Sequence, residues 1–167
     1  RRVMTKDKQA AISGVEKKAA LIGEVADCIW DYAELSLQEE RSAAKYCAVL
    51  EAEDFTVERG ICSIPTAFSA SYGSGRPVIG LLAEYDALSG MSQKAGSVER
   101  EETVPGGNGH GCGHNLLGAG AMAAALGVKA WLEQTGNPGT VILYGCPGEE
   151  GGAAKAFMAR EELWRKL

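Results

Sequence analysis

Short apolar runs bounded by turn residues constrain the fold of this chain more than any other feature of its sequence. Residues 78–83 and 140–144 are almost continuously apolar, which predicts buried strands, and 78–83 is expected to be an interior strand covered on both faces. Residues 55–58 and 67–72 have strand-like patterns and predict two more strands. Because helical segments alternate with strands after Asp54, we predict an α/β fold in which helices cover a sheet.

Helical periodicity predicts the segments that cover this sheet. Apolar residues recur every three or four positions over residues 7–33, which indicates one amphipathic helix. Ser36 and Glu39 have the spacing of a capping box for a second helix that runs to Ala52. That helix is expected to bury four apolar side chains, Leu37, Ala44, Cys47 and Leu50.

A third helix is predicted over residues 116–134, with Asn115 as its N-cap, and a fourth begins at Ala153. The apolar run 116–128 is too short to cross a bilayer and contains three glycines, so we expect a buried helix. Residues 118–123 also match the G-x-G-x-x-A form of a dinucleotide-binding turn, but no strand directly precedes them. We favour the interpretation that small residues let this helix approach the sheet closely.

The net charge and the cysteine content limit which binding partners and which cellular compartment we expect for this protein. The chain carries 17 Lys and Arg residues against 22 Asp and Glu residues, a formal net charge of −5. Binding of nucleic acid needs concentrated positive charge, so we expect no nucleic-acid partner. The five cysteines are scattered and no apolar segment follows the basic amino terminus, so we expect no membrane partner and a reduced, cytoplasmic location.

Three polar clusters lie just beyond predicted strand ends, at residues 84–86, 110–114 and 149–150. In open α/β sheets, ligands bind beyond the carboxyl ends of the strands. Residues 86–113 show no periodicity, and so long a loop within a compact domain is uncommon unless it is functional. We therefore expect the functional site at this end of the sheet.

The two histidines of the chain, His110 and His114, flank Cys112 in the sequence GHGCGHN. In an extended segment, residues two positions apart point the same way, so Cys112 and His114 could bind one metal ion if the helix begins after them. Thiolate and imidazole together suit zinc or another late first-row divalent metal. The alternative is structural, with Cys112 a small buried residue and His114 capping a turn.

Glu149 and Glu150 follow the predicted strand 140–144, where paired carboxylates have no packing role. Adjacent residues of an extended segment point in opposite directions. One glutamate could therefore bind a metal ion while its neighbour acts on water as a general base. The alternative is a solvated helix N-terminus, where the helix dipole favours negative charge.

Three motifs together carry a family resemblance: LLAEYDALSG, GHGCGHNLLG and YGCPGEEGG. With the opening segment 29–60, they resemble the metal-dependent amidohydrolases and aminoacylases related to dinuclear carboxypeptidases, and specifically the aminobenzoyl-glutamate hydrolase branch. The resemblance implies a zinc-exopeptidase-like catalytic domain with α/β architecture, layered helix–sheet–helix and interrupted by a smaller dimerisation domain. It also implies two divalent metal ions, zinc or manganese, and either a homodimer or a pairing with a related subunit.

The resemblance assigns roles to the matching positions. Cys112 and His114 match the metal ligands of the family's Cys-Gly-His motif, and Glu150 matches an adjacent ligand. Glu149 matches the general base. Asp86 matches an aspartate of the catalytic machinery that orients a ligand.

Two further positions and one departure complete the match. Glu84 stands where carboxypeptidase relatives carry a histidine ligand, and His110 is expected just outside the ligands. The family uses further downstream histidine ligands, yet no histidine follows His114 here, and the dimerisation domain is missing. We therefore expect residues 1–167 to be the amino-terminal part of an incomplete metallohydrolase catalytic domain.

The function implied is hydrolysis of an amide bond in a small molecule, either an N-acyl amino acid or an aminobenzoyl-glutamate-like substrate. Glu149 would take a proton from water and pass it to the leaving amine. The alternative is a truncated, non-catalytic fragment or subunit that retains the fold with a partial metal site. The missing downstream histidines favour the alternative for this chain, whereas the intact glutamate pair favours catalysis by a longer enzyme.

Overall fold

A four-stranded mixed sheet forms the centre of the computed structural model, which describes residues 5–167. The order across the sheet is β1-β2-β4-β3, in which β3 and β4 are parallel and the other neighbours are antiparallel. Because of the parallel pairing, the carboxyl ends of β3 and β4 lie side by side. The strands are β1 (Thr56–Arg59), β2 (Phe68–Ser74), β3 (Val78–Ala83) and β4 (Gly139–Gly145).

Helices cover both faces of the sheet. Val141 and Leu143 of β4 pack into the core on one face, with side chains from the second, third and fourth helices. The alternate residues Ile142 and Tyr144 pack on the other face, against Met158 of the fifth helix. The predicted helix–sheet–helix layering is therefore confirmed. The helices are α1 (Lys6–Lys17), α2 (Ala19–Tyr32), α3 (Glu40–Ala52), α4 (His114–Thr135) and α5 (Ala154–Arg160).

Helix α4 is 22 residues long and, by length and composition alone, could cross a membrane. Its most apolar 18-residue stretch is 50% buried, and the helix packs against α1, α2 and β3, so the prediction of a buried helix is confirmed for the side that faces these elements. The helix is longer than the apolar run 116–128 on which that prediction was based. The N-cap prediction is wrong, because Gly113 occupies that position with φ of 80°. Asn115 instead lies in the first turn, where its amide group donates to the carbonyl oxygen of Ala26 at 3.4 Å.

The single helix expected over residues 7–33 is divided at Lys18, whose backbone angles are φ −104° and ψ 8°. The side chain of Lys18 forms an ion pair with Glu53 at 2.6 Å. Apolar periodicity continues across the break, so the sequence pattern did not reveal it. Both halves pack against α4.

The predicted capping box is also wrong. The backbone amides of Arg41 and Ser42 at the start of α3 are capped by the carboxylate of Glu34, each at 2.9 Å. Ser36 and Glu39 make their hydrogen bonds elsewhere, with groups far along the chain. Of the four side chains expected to be buried here, Cys47 and Leu50 are buried, whereas Leu37 and Ala44 are exposed.

Strand β3 lies at the edge of the sheet rather than in its interior, which corrects the prediction for residues 78–83. Ile79 and Leu82 are 46% and 40% exposed. The two interior positions belong to β2 and β4, each of which pairs with a strand on both sides. An apolar run therefore indicated a strand correctly but did not distinguish an edge from a centre.

At Gly118, α4 packs directly against the backbone of Glu84, the residue that follows β3. A Cβ at position 118 would overlap the carbonyl oxygen of Glu84 and lie 2.5 Å from the hydroxyl of Tyr46. The expectation that small residues allow close packing here is confirmed.

We expect Gly118→Ala to destabilise the fold by about 1–3 kcal/mol, because the overpacked backbone or ring must move. Gly120→Ala is the matched control, since a Cβ there has no neighbour within 4 Å. That substitution should be neutral or stabilise the helix by up to about 1 kcal/mol. Urea unfolding measures both free energies, and equal stability of the two variants would contradict this packing.

Candidate metal centre

The adjacent carboxyl ends of β3 and β4 bring the candidate residues together. Glu84 and Asp86 follow β3, and Glu149 and Glu150 follow β4. His114, the first residue of α4, is buried between these segments. The site thus lies at the end of the sheet where the sequence predicted it.

The imidazole of His114 has one nitrogen held by the protein and one directed at carboxylates. Nδ1 lies 3.0 Å from both the carbonyl oxygen and Oδ1 of Asp86. The carbonyl oxygen can only accept, so Nδ1 carries the proton. Nε2 lies 3.2 Å from Glu84 Oε2, 3.6 Å from Glu149 Oε2 and 3.9 Å from Glu150 Oε1. A histidine that binds metal typically donates its other N–H to a carboxylate in this way.

Two groups of side chains have the spacing of metal ligands, and both include His114. Within each group, the ligand atoms lie within 4.8 Å of one another. A single imidazole nitrogen binds one ion at a time, so the two groups compete for Nε2. The sulfur-containing group is Cys112, His114 and Glu150, and the carboxylate-rich group is Glu84, His114 and Glu149.

The chemistry of these donors fits a divalent transition metal. Thiolate and imidazole suit zinc, while carboxylates with imidazole also accommodate manganese. Cys112 is exposed, so its interpretation as a small buried packing residue is wrong. Hydrogen bonding to Glu150 and the charges of nearby carboxylates raise the pKa of the Cys112 thiol. Metal binding to the thiolate would therefore release a proton.

Turns, rather than extended segments, orient the candidate ligands. Cys112 precedes Gly113, whose left-handed backbone leads directly into α4, so the helix includes His114 instead of beginning after it. Gly148, with φ of 65°, begins a second turn in which its carbonyl oxygen accepts from the amide of Gly152 at 2.7 Å.

The second turn changes the directions of the glutamates. Glu149 and Glu150 both approach His114, so the expectation that they point in opposite directions is wrong. The reason is the tight turn, which replaces the extended backbone assumed from the sequence. The alternative of a helix N-terminus is also wrong, since α5 begins at Ala154.

Asp86 contacts the imidazole that the family resemblance expects it to orient. Its carboxylate is buried, and its Oδ2 accepts from the hydroxyl of Ser36 at 2.8 Å and from the backbone amide of Glu150 at 3.0 Å. One side chain therefore positions both His114 and the turn that carries the glutamate pair.

His110 lies outside both donor groups. Its Nε2 lies 2.9 Å from the carbonyl oxygen of Ile29, and its ring stacks on Trp30. Burial lowers the pKa of His110, which favours the neutral ring. His110 thus fixes the loop before Cys112 to α2.

The sequence patterns did not predict the contacts of two residues at the site, Glu39 and Lys155. Glu39 is fully buried and accepts from the amide of Gly148 at 2.7 Å and from Thr66 Oγ1 at 3.1 Å, and burial raises the pKa of its carboxyl. Its main partner is 109 positions away, so no local pattern could reveal it. Lys155 forms an ion pair with Glu84, and no spacing rule links those two positions.

The fold and the site together define an α/β unit with a candidate metal centre at its strand ends. Residues 80–166 match the family described as Peptidase family M20/M25/M40. The chain belongs to this family, and the resemblance seen in the three motifs is confirmed.

Curated relatives agree with this assignment. A subunit of the p-aminobenzoyl-glutamate hydrolase of Escherichia coli K12 is 57% identical over 84% of this chain and 29% of its own length. The Xaa-Arg dipeptidase of mouse is 30% identical over 96% of this chain and 36% of its own length. The chain thus spans about a third of these two relatives, 29% and 36% of their lengths.

A solved structure shows the same fold. A Bacillus subtilis protein, described as a dinuclear metal-binding peptidase of the M20 family, aligns with a TM-score of 0.66 and 24% identity. The alignment covers 89% of this chain and 42% of that protein.

We expect Cys112→Ser to weaken zinc binding by at least about tenfold, because a neutral hydroxyl is a much poorer ligand than a thiolate. Cys28→Ser is the control, since Cys28 belongs to neither donor group. Zinc titration of the purified chain tests this. Equal affinity of wild type and Cys112→Ser would show that the thiol is not a ligand.

Divalent metal should also stabilise the native state. The carboxylates around His114 repel one another without a cation, and a ligand that binds only the folded chain stabilises it by about 2.7 kcal/mol at 100 times its Kd. We therefore expect the melting temperature to rise with zinc or manganese and to fall again with chelator. A melting temperature indifferent to both metals would argue against a metal centre in this chain.

Proposed function

We propose that the full-length protein containing this chain is a metal-dependent hydrolase that cleaves an amide bond in a small molecule. The observation that carries the proposal is the position of His114, which donates to Asp86 and directs Nε2 at Glu149 and Glu150. We propose an N-acyl amino acid or an aminobenzoyl-glutamate-like compound as the substrate. The 57% identity to a p-aminobenzoyl-glutamate hydrolase component supports this class.

The two glutamates have environments that suit different roles. Glu149 is 40% exposed and Glu150 is 25% exposed. The more accessible Glu149 would take a proton from water and deliver it to the leaving amine. Glu150 has its backbone amide fixed by Asp86, which suits a ligand. A bound divalent cation would supply the positive charge that polarises the amide carbonyl.

We propose two divalent ions, zinc or manganese, in the full-length protein. Both donor groups among residues 5–167 need His114, so the second ion would draw on donors outside this part of the chain. The thiol of Cys112 favours zinc for at least one ion. The dinuclear Bacillus subtilis protein has the same fold, which supports the count.

Assembly and location are further parts of this proposal. The relative from Escherichia coli is named as a subunit, which supports a homodimer or a pairing with a related subunit. All five cysteines are free in the structure, which supports a reduced, cytoplasmic location. We propose no nucleic-acid or membrane partner, since the site is acidic and α4 packs within the fold.

A non-catalytic fragment or subunit is the second candidate. The observation that favours it is the donor count, because His114 supplies the imidazole for both groups among residues 5–167. Comparing amide hydrolysis by this chain with hydrolysis by the full-length protein separates the two. Activity restricted to the full-length protein would assign residues 1–167 the role of a partial site.

Substitution of each glutamate tests the division of roles. Glu149→Gln keeps shape and hydrogen bonding but cannot accept a proton, so the full-length protein should retain metal and lose about 10²–10⁴-fold in turnover. Glu150→Gln should lose metal as well as rate, because it removes an anionic ligand. Metal content and hydrolysis of p-aminobenzoyl-glutamate are measured for both variants. Metal loss in Glu149→Gln with retention in Glu150→Gln would reverse the roles, and full activity in both would refute the mechanism.

A further inference from the structure

A cation of the protein is already paired with a carboxylate of one of the two donor groups. Lys155, in the first turn of α5, donates from Nζ to Glu84 Oε1. The other oxygen, Oε2, lies 3.2 Å from His114 Nε2. The carboxylate of Glu84 is largely buried, whereas Lys155 is partly exposed. One oxygen of Glu84 is therefore held by a cation of the protein, and the other faces the imidazole of His114.

Among residues 5–167, the carboxylate of the sulfur-containing group has no such pairing with a lysine or arginine. Within residues 5–167, Lys155 is the lysine or arginine that forms an ion pair with a carboxylate of either group, and it pairs with Glu84. Cys112 and Glu150 can be reached without displacing a cation. An ion that uses Glu84 must first break a partly buried ion pair, and removing one partner of such a pair is unfavourable.

We propose that Lys155 is a positioning residue that keeps Glu84 out of the metal coordination sphere and directs the first ion to Cys112, His114 and Glu150. This inference rests on the metal centre of the proposed function. Because Nε2 of His114 binds one ion, an ion held by this group is not held by the group that contains Glu84.

The choice of group also sets the preference for a metal. Sulfur, nitrogen and oxygen donors together favour zinc, whereas a histidine with two carboxylates is better suited to manganese. Lys155 therefore biases the centre towards zinc. Removing the positive charge of Lys155 should strengthen the binding of every divalent cation. A change in which side chains bind the metal is expected only if the contact between Lys155 and Glu84 is lost.

Cobalt(II) is the probe, because thiolate ligation gives it a strong charge-transfer absorption in the near ultraviolet. The purified chain should show this band in proportion to bound cobalt. Lys155→Met keeps the length of the side chain and removes the charge. We expect this substitution to reduce the absorption band per bound cobalt at least about twofold. We also expect it to shift the ratio of manganese affinity to zinc affinity by about tenfold.

Three control variants isolate the contact with Glu84. Lys17→Met removes the same charge from an exposed position on helix α1 and should leave the band unchanged. Lys155→Arg retains a cation and should preserve the wild-type band. Glu84→Gln alone should also preserve it, and Lys155→Met should have no further effect in that background, since the competing donor is gone.

The outcomes separate this inference from the proposed function. An unchanged band in Lys155→Met, a loss of the band in Glu84→Gln, or an effect of Lys155→Met that persists without Glu84 would each overturn the inference while leaving the metal centre intact. If no variant binds cobalt, zinc or manganese, the proposed metal centre fails and the inference fails with it. Circular dichroism checks that each variant folds. If Lys155→Met does not fold, the cobalt bands of Glu84→Gln and Lys155→Arg test the inference instead.

Discussion

The buried carboxylate of Asp86 is the interaction on which the site depends. Burial of a carboxylate is costly unless its oxygens are hydrogen-bonded. Asp86 meets this condition through donors from three separate segments: Ser36 before α3, His114 at the start of α4, and the amide of Glu150 after β4. The same hydrogen bonds that offset the cost of burying this carboxylate therefore also arrange the candidate ligands.

Glu39 provides a second buried anchor for the turn that carries the glutamate pair. Its carboxylate accepts from the amide of Gly148 and from Thr66, whose carbonyl oxygen in turn accepts from Tyr85 at 2.6 Å. Glu149 and Glu150 themselves are partly exposed. Exposed donors on a turn are thus supported by buried polar contacts, which limits how far they can move when a cation binds.

Local patterns are enough to predict the helix–sheet layers, the existence of strand β4 and the segments that carry the site. A local motif predicts Cys112 and His114 at one site because they are two positions apart in the sequence. The same reasoning failed where the partner is remote: Ser36 and Glu39 have the spacing of a capping box, yet they bond to Asp86 and Gly148. Edge and interior strands also share an apolar composition, and pairing partners decide between them.

The edge position of β3 has a consequence for handling the isolated chain. Its outer side presents backbone N–H and C=O groups that have no strand partner among residues 5–167, beside the exposed side chains of Ile79 and Leu82. Natural proteins usually protect such an edge with charged residues, bulges or proline, but the strand VIGLLA contains none of these residues. In concentrated solution, β3 is therefore the segment most suited to template intermolecular sheet growth and self-association.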